Sequence, residues 1–393
     1  MRDYYRKFRA EVLQRIIPRS RRAFAPGAPV EVDGYLSMTA GVGESARLCI
    51  DALAQAGIPV TIGDVSTNPA EKRDVEWIPP ALAAGAAATR ILHLNPPMLP
   101  RGILKLGLGS FVRTFNIGYW AWELEIIPTE WRHALRYVNA VFVPSEFTRK
   151  AIARHTNIPV ITVPHPVGEK PAAPGMRAQF GIAEDAFLVS TIFSAGSSIN
   201  RKNPEAVLKA FRPFAADHPK AFLLMKASGN PAKDERLAAL VRAAGEIGNI
   251  RVITENLPSS AISGIIAQSN AYISLHRSEG FGLTVAEAIL SGTPVVSTGW
   301  SGTVDFCDPQ NTWNTDYSLI PVVDSHPEFA GLRNARWADA SADHAARQLA
   351  DIANDQPAAA TKAAGAREFL RRYLAEHTYE NALKELAAGR DRA

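Results

Sequence analysis

Cysteine is nearly missing from this chain. Cys49 and Cys307 are the only two in 393 residues and neither belongs to a C-x-x-C, so neither a disulfide framework nor a cysteine zinc site is supported. Long apolar runs are missing too. None reaches the roughly 18 residues that span a bilayer, and the nearest, 77–89, is short, alanine-rich and interrupted by Pro79 and Pro80. The N-terminus has no apolar stretch of the kind that marks a secretion signal. These absences lead us to expect a soluble chain of a reducing, cytoplasmic compartment.

The composition is otherwise ordinary. With 47% hydrophobic and 21% charged residues, disordered and fibrous classes are excluded, and 393 residues suit two domains of roughly 100–200 each. The charge is uneven. Of the net +4, residues 1–22 carry eight cations against Asp3 and Glu11, leaving the remainder slightly acidic. A uniformly basic, nucleic-acid-coating surface is therefore not expected. Tyr5, Phe8, Val12 and Ile16 recur at helical spacing among these arginines. Residues 1–22 thus read as a basic amphipathic helix, which either lies on an anionic membrane surface or packs its stripe on the body.

Beyond Arg22, short apolar runs alternate with amphipathic stretches, the pattern of an α/β domain with parallel strands. Strands are expected at 30–35, 60–62, 91–94, 115–120, 140–143 and 160–163. Helices are expected at 45–56 and 128–137, and from an N-cap at Ser145 to His155. Residues 167–181 hold two prolines and three glycines and read as an interdomain linker. The alternation then restarts, with strands at 187–193, 221–226, 250–253, 271–275 and 294–297 and helices at 203–216, 233–244, 260–269 and 283–290. From Trp337 onward the chain reads as mostly helical. The expected architecture is two Rossmann-like, doubly wound halves, with ligand sites where strand ends meet helix starts and a cleft between the halves as the default location.

Two stretches carry chemistry. In Ser278-Glu279-Gly280-Phe281-Gly282-Leu283-Thr284-Val285-Ala286-Glu287 a strand ends, a turn with two glycines follows, and a helix opens. Gly280 and Gly282 let backbone approach a ligand, and the free amides of the opening turn favour a phosphate. Glu279 and Glu287 can then reach two regions of one elongated ligand. The plain alternative is an ordinary strand–turn–helix with a solvated Glu287. Arg201 and Lys202 follow the first strand of the second half and precede a helix near Asn203. Cations there oppose the helix dipole unless an anion joins them, and they suit a diphosphate.

Glu279 and Glu287, with seven residues between them inside SEGFGLTVAEAILSGTPVVST, resemble the E-x7-E motif of retaining glycosyltransferases, specifically family 4. The Arg201-Lys202 placement, the Ser301-Gly302 turn and the two-half layout are similar to that family as well, most specifically over 185–350. The resemblance implies the GT-B architecture: a basic segment 1–22, an acceptor domain 23–168, a nucleotide-sugar donor domain 169–365, and a C-terminal helix 366–393 crossing back to the first domain. By position, Glu287 would bind the donor ribose and Glu279 the transferred sugar. The Gly280, Phe281 and Gly282 amides, with Leu283 and Thr284 opening the helix, would contact sugar and phosphate. Arg201 and Lys202 would neutralise the diphosphate. Gly41 and Gly43 look like the family's glycine loop. Asn95 stands near a position where several members carry a sugar-contacting histidine. Trp120 and Trp122 either stack on a sugar or fill the core, and Glu123 either binds hydroxyls or caps a helix. His165 either touches the cleft or is a buried structural histidine.

The sequence lacks the Asp-x-Asp triplet that many metal-dependent glycosyltransferases use, so no metal and no cofactor are expected. The resemblance implies hexose transfer, with mannose favoured on family frequency alone, from a nucleotide-diphosphate sugar to a glycan or lipid-linked glycan. Envelope polysaccharide synthesis at the inner membrane face is a fitting setting. The alternatives are a sugar-nucleotide epimerase or phosphorylase on the same fold. A dinucleotide-dependent oxidoreductase is a further one, with Gly41 and Gly43 opening its turn and Asp64 reading the ribose, and a non-catalytic scaffold is the last.

Overall fold

The computed structural model describes residues 12, 16–38, 41–66, 77–329 and 331–390. Most of the basic segment 1–22, and with it the membrane-surface expectation, lies outside them. Among the described residues no helix is long and apolar enough to cross a membrane. The chain divides into two units, Met1–Pro166 with Leu374–Ala393, and Val167–Tyr373.

The first unit is built on six parallel strands: β1 (Val30–Gly34), β2 (Val60–Asp64), β3 (Thr89–Leu92), β4 (Phe115–Tyr119), β5 (Ala140–Val143) and β6 (Val160–Thr162). Their spatial order is β2-β1-β3-β4-β5-β6. β5 is buried along its whole length, as an unbroken apolar run must be when helices cover both faces of a parallel sheet. Helix α1 (Gly41–Gln55) turns Ala46, Cys49, Ile50 and Leu53 inward, the i, i+3, i+4, i+7 stripe of a helix lying on a core. Helix α2 (Glu146–Ala153) starts where expected, with Ser145 accepting a hydrogen bond from the Thr148 amide. A charged cluster of three side chains lies inside this sheet. Arg90 on β3 holds Asp33 on β1, Nε to Oδ2 at 3.0 Å, and reaches Glu31 at 2.6 Å.

The second unit repeats the plan with β7 (Phe187–Ser194), β8 (Ala221–Ser228), β9 (Ile250–Ile253), β10 (Ala271–Ser274), β11 (Val295–Thr298) and β12 (Trp313–Thr315). Their order is β12-β11-β10-β7-β8-β9, again parallel throughout. Helices α3 (Pro204–Asp217), α4 (Glu235–Gly245), α5 (Ser259–Ala267) and α6 (Leu283–Leu290) connect the strands. An antiparallel hairpin of β13 (Tyr317–Pro321) and β14 (Arg336–Ala340) follows. It corrects the sequence expectation: Trp337 sits in a strand, and the helical tail begins only with α7 (Ala342–Asn354). The expected linker 167–181 is also corrected. Ala173 donates to the Ser260 carbonyl at 2.9 Å, and Met176 and Phe180 are buried in a cluster with Ala261 and Ile265 of α5. Its apolar positions find cover, so the segment packs on the second unit.

Helix α8 (Gln356–Glu376) takes the chain out of the second unit. Helix α9 (Tyr379–Arg390) then returns to the first, placing Tyr379, Ala382, Leu383 and Leu386 in the core that α1 covers. In each sheet the strand order reverses beside the first strand, between β1 and β3 and between β7 and β10. Successive connections leave such a point in opposite directions, which opens a crevice at the carboxyl edge for a ligand.

Asp33 is fully buried and Arg90 supplies its countercharge. The substitution Arg90→Met strands that carboxylate, and removing one partner of a buried pair costs on the order of 3–5 kcal/mol. Urea unfolding of the variant should show the loss. A midpoint equal to wild type would refute it.

Candidate active site

In the second unit the switch point lies between β7 and β10, and the two chemistry-bearing loops are the ones that leave these strands. After β7 the chain makes a short turn through Ala195–Ser197, then one helical turn, Ile199–Lys202. Ser198 caps that turn by accepting from the Arg201 amide at 3.1 Å. It does so at φ 69, a conformation that costs energy unless its surroundings hold it. The turn ends at Asn203, whose left-handed backbone starts α3 and whose side chain donates to Leu275 O at 3.0 Å. The two loops are thus stitched together by backbone as well as charge, with the Arg277 amide donating to Arg201 O at 2.7 Å.

Arg201 is buried. Its guanidinium donates to Ser278 O at 2.8 Å and to Ser197 O at 3.1 and 3.2 Å, and pairs with Glu279 Oε2 at 3.0 Å. Lys202 Nζ binds the other oxygen, Oε1. Burial alone would raise the Glu279 pKa, but the charges of Lys202 and then Arg201 outweigh it and bring the carboxyl down to about 2. At neutral pH it is a firmly ionised, weakly basic group. Ser301 Oγ accepts from the Glu279 amide at 2.8 Å, and the Gly302 amide donates to Glu279 O at 2.9 Å. A side chain at Gly302 would stand 2.4 Å from Gly280 O, so only glycine lets this turn close on the Glu279 loop.

Gly282, at φ 98, is the N-cap of α6, and no side chain caps this helix. Its opening amides therefore remain available to an anion. Phe281 turns its ring inward against Phe306, centroids 5.0 Å apart, so only its backbone serves the loop. Leu283 and Thr284 open the helix, and the Thr284 hydroxyl lies 2.8 Å from Tyr272 OH. Glu287, farther along α6, is not simply solvated: Lys170 Nζ pairs with its Oε1 at 2.8 Å. The structure thus brings Arg201, Lys202, Glu279, Gly280 and Gly282 together.

Sequence reasoning missed Lys170, whose partner is 117 positions away, and no local pattern signals it. It also missed His276, fully buried beneath this loop. Burial pushes that imidazole down to about 4, so it is neutral at pH 7. Its ring bridges Ser274 Oγ at 3.1 Å and Trp300 O at 3.4 Å.

The residues expected on the acceptor side, all in the first unit, fare differently. Trp120 is fully buried, edge-on to Trp131 at 6.0 Å, and Trp122 packs on the same ring at 4.7 Å. The stacking role for Trp120 is therefore corrected: its indole folds back over Gly118, where a Cβ would meet Nε1 at 2.5 Å. Glu123 is half-buried, and the helix that follows, Thr129–Ala134, has at its N-cap Pro128, whose side chain offers it no hydrogen bond. Asn95 Oδ1 accepts from the Ala121 amide at 3.1 Å and so ties the loops after β3 and β4 together. His165 is buried, 3.2 Å from Tyr119 OH, and its pKa falls to about 4 through burial. It is the structural histidine of the two alternatives.

Gly43 is also reassigned. A Cβ there would stand 2.5 Å from Met38 O and 2.6 Å from Tyr35 O, whereas Gly41 has open space around it. The loop's own packing demands glycine at 43, and only Gly41 keeps room for a ligand. Asp64, which a dinucleotide reading would need, is occupied at both oxygens by Ser37 Oγ (2.6 Å) and the Ser66 amide (2.8 Å).

Residues 177–312 match the family model of glycosyl transferases group 1, a span that takes in both loops of the second-unit site. No curated protein matches the sequence significantly. Among solved structures, sucrose-phosphate synthase from Thermosynechococcus elongatus superposes with a TM-score of 0.64 at 14% identity, covering 93% of this chain and 98% of that one. HepE of Anabaena, in complex with UDP-glucose, gives 0.64 at 13% identity over 93% and 100%. A variant of S. aureus TarM, in complex with fondaparinux, α-GlcNAc-glycerol and UDP, gives 0.54 at 14% identity over 77% of this chain and 54% of that one. The chain thus spans about half of TarM's length, 54%. At these identities the likeness shows the fold, which is that of the GT-B glycosyltransferases.

Two expectations follow. A carboxyl held at about 2 rather than its ordinary 4.5 contributes stability that is complete above 4.5 and disappears as pH falls through 2. The advantage of wild type over Glu279→Gln, on the order of 3 kcal/mol at pH 7, should shrink steadily as unfolding is measured from pH 4.5 downward. Separately, Gly43→Ala should lower the melting temperature by several degrees, by a cost of roughly 1–3 kcal/mol, while Gly41→Ala leaves it unchanged. Equal melting temperatures for the two would show the loop packing to be unimportant.

Proposed function

We propose that this chain is a retaining glycosyltransferase that moves a hexose from a nucleotide-diphosphate donor to a hydroxyl of a glycan or lipid-linked glycan, without a metal ion. The observation that carries the reading is the convergence of Arg201 and Lys202 on Glu279, beside Gly280 and the uncapped start of α6. A departing nucleoside diphosphate gains negative charge as the anomeric C–O bond breaks. Fixed cations and amides that already point at one place stabilise that charge without reorganising, which is usually the largest contribution to such catalysis.

Each residue then has a role. Arg201 offers a planar fork and Lys202 a point charge to the diphosphate. The amides of Gly280 to Leu283 meet phosphate and sugar. Glu279 accepts hydrogen bonds from hydroxyls of the transferred sugar, and Glu287 from the ribose. Gly41, with open space around it, is the glycine of the first unit that keeps room for a ligand. A carboxylate held by two cations with a pKa of about 2 is a poor base and a poor nucleophile. That favours front-face transfer, in which the acceptor oxygen bonds to the anomeric carbon as the phosphate leaves, and the acceptor proton passes to a departing phosphate oxygen. The configuration at the anomeric carbon is then retained. The basic segment 1–22 suits a lipid-linked acceptor at an anionic membrane face, and envelope polysaccharide synthesis is the setting we favour.

The test is a thermal-shift panel of UDP- and GDP-hexoses followed by transfer assays. A preferred donor raises the melting temperature by mass action. Lys202→Ala and Glu279→Ala should each lower kcat/KM by roughly a hundredfold or more, and EDTA should leave wild-type activity intact. Wild-type rates in either folded variant, or loss of activity in EDTA with rescue by Mn²⁺, would refute the assignment.

A further inference from the structure

The cationic turn has a second anchor, and it comes from the hairpin that sequence patterning missed. The loop between β13 and β14 lies against residues 196–200. The Ser198 hydroxyl donates to Asp324 Oδ2, His326 Nε2 stands 3.2 Å from Gly196 O, and Asn200 Nδ2 donates to Val323 O at 3.5 Å. The base of the hairpin is fixed to the other loop of the site. Ala338 donates its amide to Arg277 O at 2.9 Å, and the Arg277 guanidinium pairs with Asp339 at 3.2 Å while lying 5.5 Å over the Trp337 ring. Trp337 is itself buried, edge-on to Phe329 at 6.0 Å. The brace is therefore a packed element reaching both loops at the switch point.

Ser198 is the joint. Its hydroxyl donates one hydrogen bond, to Asp324, and accepts another, from the Arg201 amide at 3.1 Å. A hydroxyl whose proton is taken up by a carboxylate is held in one rotamer, with its lone pairs directed at the helical turn. The φ of 69 at this non-glycine residue persists because the surroundings hold it. Without that restraint the one-turn helix Ile199–Lys202 loses its cap, and with it the fixed origin of Arg201 and Lys202.

We propose that Asp324 is a positioning residue: through Ser198 it holds the turn that aims Arg201 and Lys202 at the pyrophosphate. The inference rests on the donor site proposed above. It assigns to the hairpin loop a part in donor affinity, exerted by a side chain that touches neither cation's charged group nor the sugar.

The experiment compares wild type with Asp324→Ala, Asp324→Asn, Ser198→Ala and the Ser198→Ala/Asp324→Ala double variant, with Val323→Ser, on the exposed flank of the same loop, as control. Calorimetry with UDP and with GDP gives Kd, and thermal melts follow folding. For whichever diphosphate the wild type binds, Asp324→Ala should weaken binding by roughly tenfold, the scale of a hydrogen bond to a charged group. Asp324→Asn, which keeps an acceptor for Ser198, should recover most of the loss. Ser198→Ala should match Asp324→Ala, and the double variant should be no worse than either single, because both act through one contact. Val323→Ser should bind as wild type. A folded Asp324→Ala that binds as tightly as wild type overturns the inference, as does a lowered melting temperature with unchanged Kd, the mark of a purely structural contact. Losses that add in the double variant overturn it too. Should Asp324→Ala fail to fold, Ser198→Ala and Asp324→Asn decide the matter by the same comparison. A wild type that binds neither diphosphate overturns the donor site itself and this inference with it; a wild type that binds overturns only the inference if the variants match it.

Discussion

The second unit is organised at its carboxyl edge by one electrostatic constraint: two adjacent cations, Arg201 and Lys202, must share a countercharge. They stand immediately before the start of α3, where a helix presents the positive end of its dipole, and they also repel each other. Glu279 removes both costs by accepting one cation on each oxygen. It can do so only because β7 and β10 are neighbours in the sheet, which brings the loops that follow them side by side. Ser301 and the Gly302 amide then hold the Glu279 backbone, so the anion is as fixed as the cations it serves. The same arrangement that stabilises the turn presents positive charge, and α6 adds uncapped amides beside it.

The two units use the same layout and reach different ends. In the first, the residues around the switch point are committed to one another. Asn95 binds Ala121, His165 binds Tyr119, and Arg47 donates to the carbonyls of Leu36 and Met38 at 2.9 Å. Gly43 is required by those same loop carbonyls. Polar side chains there fasten loops to one another. In the second unit the polar groups converge on a charge cluster that holds a functional arrangement. This asymmetry, with charge gathered in the second unit and loop-fastening contacts in the first, supports the placement of the proposed donor site.

Much of the architecture was legible because parallel strands covered on both faces leave a strong trace. Ala140–Val143, Ile250–Ile253 and Leu283–Leu290 fall where periodicity and caps put them. What escaped was structure whose cause is not local. β14 (Arg336–Ala340) holds no β-branched residue, leads into an alanine-rich stretch and reads as the start of a helical tail; its pairing with Tyr317–Pro321 makes it a strand. Residues 167–181 carry the composition of a linker, yet Met176 and Phe180 find apolar partners on α5. Trp120 is equally suited to a sugar or a core, and only the neighbouring Trp131 and Gly118 decide in favour of the core.

By itself the sequence determined the two-half α/β plan, the residues Arg201, Lys202, Glu279 and Glu287 as the carriers of charge, and the glycines that let backbone approach. These follow from periodicity, side-chain chemistry and spacing, all of which are local. Tertiary structure alone decided which charges meet. Lys170 finds Glu287 across 117 positions, and Asp324 finds Ser198 across 126. Contacts of that kind are set by strand order and by the path of a hairpin. A one-dimensional pattern carries no trace of them, because the energy that selects them is gained only once the sheet has formed.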